Sequence, residues 1–114
     1  MAARPIDRES VAGFRDELLE FAQFLDTIGN SFFPPVFLDH ARRLEHATSI
    51  SEVREVQREL RVYLKGTIGT LNDGPPSDVT SPRYSYTGDI PTLHTEFEAH
   101  MTKFRSYLKR VFWG

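Results

Sequence analysis

Apolar residues in this chain recur at alternating steps of three and four, and they do so in four separate stretches. That spacing gathers side chains onto one stripe of an α-helix. A strand cannot use it, because strand side chains alternate with period two. Val11, Phe14, Leu18, Phe21, Leu25 and Ile28 make the first stripe. Val36, Phe37, Leu38, Ala41, Leu44 and Ala47 support a second helix of about three turns, and Val53, Val56, Leu60, Tyr63, Leu64 and Thr67 form the packing face of a third. Leu93, Phe97, Met101, Phe104, Leu108 and Val111 make the last. The spacing predicts helices over 7–28, 35–47, 50–67 and 92–112, with an irregular segment at 70–91. Amphipathic helices joined mostly by short connections bury their stripes by packing together. The expected fold is therefore all-α, an antiparallel four-helix bundle with a long irregular loop between the third and fourth helices, built as one domain over 1–114. Phe14, Phe21, Leu60, Phe97 and Phe104 are expected to share one core.

The punctuation agrees with the stripes. Asp7 or Ser10 can cap the first helix, and Gly29-Asn30 can end it. Pro34-Pro35 suits a first helical turn, where a missing N–H is no loss. Phe32 and Phe33 are expected to plug one end of the core, and Phe24, off the stripe, to serve a second contact. Ser49-Ile50-Ser51-Glu52 has the spacing of a capping box. Gly66, Gly69 and Gly74 followed by Pro75-Pro76 stop the third helix and forbid its resumption. The faces away from the stripes are charged. Asp16, Glu17, Glu20 and Asp26 give the first helix an acidic, solvated outer surface, while Glu52, Glu55 and Glu59 flank the third helix on one side. Arg54, Arg58, Arg61 and Lys65 run along its other side, a basic stripe that could meet a phosphate backbone or an acidic partner.

Little in the chain points to catalysis. There is no cysteine, which removes thiol chemistry and Cys-based zinc sites. His40 and His46, like His94 and His100, stand six residues apart, and no Glu-x-x-His pairs of a metal-binding bundle accompany them. His100 is expected at the edge of the core. The Gly66–Gly69 stretch lacks the Lys-Ser/Thr of a phosphate-binding loop. The expectation is no enzyme activity, no cofactor and no metal. A net charge of −2 argues against bulk binding of nucleic acid. Polar Met1–Ser10 and the lack of a long apolar run lead to the expectation of a cytoplasmic protein without membrane association. The alternative is a nucleic-acid-binding bundle using the basic stripe, or a ribonuclease-like one using Arg42 and His46.

Gly66-Thr67-Ile68-Gly69-Thr70-Leu71-Asn72-Asp73 resembles the Gly-Gly-Met-Gly-Ser-Phe-Asn-Asp signature of small helical bacterial domains of unknown function, a group linked to immunity proteins of polymorphic toxin systems. The likeness covers eight residues, keeping both outer glycines, Asn72 and Asp73. Thr67 replaces the second glycine, and the chain departs after Asp73. The resemblance implies a protein that binds and neutralises a toxin by direct contact. In the loop, Arg83, Tyr84 and Tyr86 are residue types that anchor interfaces. Asp73, Asp78 and Asp89 could face a basic partner and speed association. Together with Asn72 these form the expected partner-binding set.

Overall fold

The computed structural model describes residues 6–65 and 71–112. Gly66–Thr70, which carry most of the signature, and Trp113 lie outside them. Four helices form the body: α1 (Arg8–Thr27), α2 (Phe33–His46), α3 (Ile50–Arg61) and α4 (Ile90–Lys109). Each packs on its neighbour in chain order, and α4 closes the ring against α1. Bonds between ends fix the directions. Arg8, at the start of α1, donates to the Ala47 carbonyl just past α2, and the Asp7 N–H donates to the Phe112 carbonyl just past α4. At the other end, Tyr63 follows α3 and packs edge-on against Phe33 at the start of α2. The bundle is antiparallel throughout.

The core holds the expected stripes. Phe14, Leu18, Phe21, Leu25 and Ile28 of the first, and Phe97, Met101, Phe104 and Leu108 of the last, are all buried, as is Leu60. Rings concentrate at the centre: Phe21 lies 5.2 Å from Phe37, 6.0 Å from Phe97 and 5.8 Å from Phe104.

Boundaries move where a local bond or a proline outweighs the periodicity. Helix α2 begins at Phe33 and not at 35, because Pro34 and Pro35 occupy its first turn. Helix α4 likewise starts at Ile90 and not at 92, with Pro91 in its first turn and Asp89 as the cap. Helix α3 stops at Arg61, short of the expected 67, and tightens into a single 3₁₀ turn at Val62–Leu64. Helix α4 ends at Lys109 and not at 112; Arg110 is extended. In extended chain consecutive side chains point to opposite sides. Phe112 therefore turns inward and stacks on Phe14, while Val111, assigned to the stripe, is exposed. Of the aromatic corner, Phe33 is buried and Phe32 lies outside, 54% exposed, against Phe33 and Tyr63. The Ser49 hydroxyl accepts from the Glu52 N–H, but the Glu52 carboxylate reaches back to the N–H of Thr48, one residue before the cap.

Two polar clusters stitch the helices. Glu17, expected on the solvated face, is buried and lies 2.7 Å from His100 Nδ1, joining α1 to α4. Glu59 of α3 receives both guanidinium arms of Arg43 at 2.8 and 2.7 Å, and His40 Nε2 lies 3.3 Å away. The Arg43 pairing holds the Glu59 carboxyl down from 4.5 to about 2. A carboxyl lowered by folding adds stability above its unfolded value and loses it as pH falls toward the folded one. Glu59→Gln should therefore lower the urea midpoint at pH 7, by the equivalent of about 1–2 kcal/mol once solvent screening of this partly exposed pair is allowed for. The gap to the parent protein should close between pH 4.5 and 2. A gap independent of pH in that window would show that the ion pair is not its source.

Gly29 and Asn30 tie three elements together. Gly29 takes φ +85°, its N–H donating to Asp26 and that of Asn30 to Leu25, the paired bonds of a Schellman ending. The Asn30 side-chain Oδ1 then accepts from the N–H groups of Phe32 and Phe33, capping α2, and its Nδ2 donates to the Pro76 carbonyl. A Cβ at position 29 would stand 2.1 Å from the Asp78 carbonyl oxygen. Gly29→Ala thus meets both a disfavoured backbone conformation and a backbone clash. It should cost about 1–3 kcal/mol for the strain and lift the loop off α1. Faster amide exchange at Asp78, Ser85 and Tyr86 would report that release.

Candidate partner-binding face

The segment after Gly74 is irregular but attached. Helix α1 ends with carbonyls that have no partner within the helix. The loop supplies it: the Asp78 N–H donates to Ile28 at 2.8 Å, and those of Ser85 and Tyr86 to Thr27 at 2.9 and 3.1 Å. The Arg83 guanidinium adds a 3.3 Å ion pair with Asp26. The loop is thus moulded on the end of α1 and forms a wall beside it.

That wall bounds a groove of about 780 Å³. Leu19, Ala22, Gln23 and Asp26 of α1 form one side, and Pro34, Pro35 and Leu38 of α2 the other, with Ser31 before it. Ser81, Pro82 and Arg83 close the loop end. The groove runs on between the two helices past Leu19 and Leu38 to Arg15, Ala41, Arg42 and Glu45. Leu19 and Leu38 are 40% and 45% exposed, large apolar side chains facing each other across one seam. A pocket of this size, apolar with a few polar groups on its rim, is the ordinary form of a binding site.

The seven expected binding residues are spread more widely. Arg83 alone of them lines this groove. Asp78 accepts from the N–H and hydroxyl of Thr80, bonds that hold its carboxyl below the usual range and shape the turn. Asp89 accepts from the Thr92 N–H as the cap of α4, and the Thr92 hydroxyl together with that N–H lowers its carboxyl. Both remain exposed and anionic, so each keeps its charge while serving the fold. Tyr84 and Tyr86 are half-buried against the core, Tyr86 edge-on to Phe24 at 6.2 Å. Burial and the neighbouring Glu96 carboxylate push the Tyr86 hydroxyl up. Asn72 and Asp73 sit in a separate 3₁₀ turn, Leu71–Asp73, where Asn72 bonds the Leu64 carbonyl and accepts from Arg105.

Leu19 and Leu38 are the groove residues that the sequence reading passed over. Leu19 stands beside the first stripe, and Leu38, counted only as one of the apolar residues that support the second helix, is exposed. The signal was adjacency: Leu18-Leu19 and Phe37-Leu38 each put a second apolar residue next to one already assigned inward. Of the ribonuclease-like pair, Arg42 lies on the rim of the seam and His46 is exposed in the last turn of α2. Among the described residues no group of three or more acidic or histidine side chains is placed to hold a metal ion, and no helix is long and apolar enough to cross a membrane. No family model, curated protein or solved structure matches the chain.

Proposed function

We propose that this chain is a partner-binding protein of the immunity type, which neutralises a bacterial toxin by seating an apolar segment of it between α1 and α2, without catalysis. The observation that carries this reading is the exposed Leu19–Leu38 seam walled by a loop already bonded to α1. A preformed wall lowers the ordering cost of association, which otherwise offsets much of the contact energy. A few fully buried side chains at the centre of such a site carry most of the affinity, with the contacts around them excluding water. Arg83, Arg42 and Glu45 supply that rim. Asp78 and Asp89 add negative charge on the loop side, suited to a basic toxin.

The test is the double variant Leu19→Glu/Leu38→Glu, assayed against any toxin whose gene adjoins that of this protein. Both residues are partly exposed, so melting should move by no more than a few degrees. Affinity should fall on the order of 100-fold or more, since each Leu side chain that the partner buries is worth about 2 kcal/mol. Full protection of cells by the double variant would remove the groove from the mechanism. Absence of any neutralised toxin would remove the immunity reading itself.

A further inference from the structure

A second groove, of about 360 Å³, lies between α3 and the end of α4, lined by Arg54, Arg58 and Arg61 from one side and Lys109 and Arg110 from the other. Among the described residues no carboxylate lines it. This concentration of positive charge stands out in a chain whose net charge is −2. The acidic flank of α3 faces elsewhere: Glu59 is bound to Arg43 of α2, Glu55 lies near that same Arg43, and Glu52 is bound to the backbone of Thr48, all three outside the groove lining.

The cations are not all spent on the helix ending beside them. The carbonyls of Tyr107 and Leu108 in the last turn of α4, and of Arg110 just past it, would repel an anion if left bare, and all three accept side-chain bonds. The buried Gln57 amide donates to Tyr107 and Arg110 at 2.8 and 2.9 Å, and Arg61 donates to Leu108. These three bonds also fix the two walls against each other. Arg110 rests its guanidinium 5.0 Å above the Tyr107 ring and shares its charge with the Asp7 carboxylate, so Arg58 and Lys109 are the cations on which the site chiefly depends. Ile50, Val53 and Val111 give the same groove an apolar side. A concave site of this volume fits a small molecule better than an extended strand. Guanidinium forks match phosphate oxygens in shape and charge.

We propose that this groove binds a small molecule carrying two or more adjacent phosphoryl groups. The site is independent of the α1–α2 groove, and neither depends on the other being right. The probes are sodium tripolyphosphate and ATP, the second adding a base and sugar for the apolar side. Isothermal titration in about 50 mM salt should show one molecule bound per chain, weakening as salt rises. Arg58→Gln and Lys109→Gln remove exposed charges from the two walls and should each weaken binding roughly tenfold, with melting unchanged. Arg42→Gln, outside this groove, should leave it intact. Failure of both probes to bind would overturn the proposal. So would equal weakening by Arg42→Gln, which would mean diffuse attraction to charge. A 20-nucleotide oligo(U) that binds through Arg58 while neither probe does would also overturn it, pointing to a nucleic-acid backbone.

Discussion

Phe104→Ala is expected to lower the unfolding free energy by about 3–5 kcal/mol, the usual cost of emptying a buried phenylalanine site. Phe104 is fully buried on α4, 5.8 Å from Phe21 of α1 and 5.3 Å from Phe37 of α2. One side chain therefore joins three helices, and its loss leaves a cavity bounded by stiff rings that cannot collapse inward. Edge-on and tilted ring contacts add about 0.5–1.5 kcal/mol beyond area burial, which favours the upper half of the range. For a chain of this size the melting temperature should fall on the order of 10–20 °C. A conservative comparison is Phe104→Leu, which keeps most of the volume and should cost less than half as much. If Phe104→Ala melts with the parent protein, the stripe does not face the core.

How much of this was legible from the residues depends on range. Phe14, Phe21, Phe97 and Phe104 were placed inward by spacing alone, and they are inward, because helical periodicity is a property of one segment. The ends were harder. Phe112 enters the core and Val111 leaves it only because the chain becomes extended at Arg110, where the Phe112 carbonyl pairs with Asp7, more than a hundred residues earlier. No local pattern contains that bond. Glu17 was misassigned for a different reason: its charge grouped it with Asp16 and Glu20, although Phe14 at i−3 and Phe21 at i+4 place it on the edge of the apolar stripe, where α4 brings His100 to it.

The candidate site was less legible still. Arg83 was readable as an interface residue type, and it does line the α1–α2 groove. The groove itself exists because α1 and α2 lie side by side and the loop folds back over the end of α1. Tyr84 and Tyr86 have the composition of anchors, but part of their ring surface is occupied by their own core. Gly66–Thr70, on which the family resemblance rests, lie outside the described residues. The basic stripe was visible in sequence, with a flank of glutamates on the same helix. The fold separates the two, turning Glu59 toward α2 and the arginines toward α4.

His100→Phe should be more damaging than Glu17→Leu, although both break the same 2.7 Å contact. The asymmetry follows from burial. Glu17 is 4% exposed, so removing its partner strands a carboxylate inside the bundle, whereas His100 is one-fifth exposed and can turn its free nitrogen to water. Breaking a buried pair from one side costs about 3–5 kcal/mol, while replacing both members by apolar groups is often neutral or stabilising. Phenylalanine is chosen because the His100 ring stacks on Phe21 at 5.1 Å, nearly parallel, and the substitution keeps that stacking while deleting the nitrogen. His100→Phe should therefore cost about 3 kcal/mol, and Glu17→Leu about 1–2, the second being the penalty of a partly hydrated donor left alone. The double variant Glu17→Leu/His100→Phe should recover most of the loss and could exceed the parent. Its coupling energy is read from the four urea midpoints, which makes the cycle independent of any single reference. Additive losses in the double variant would show that the pair contributes nothing beyond the space it fills.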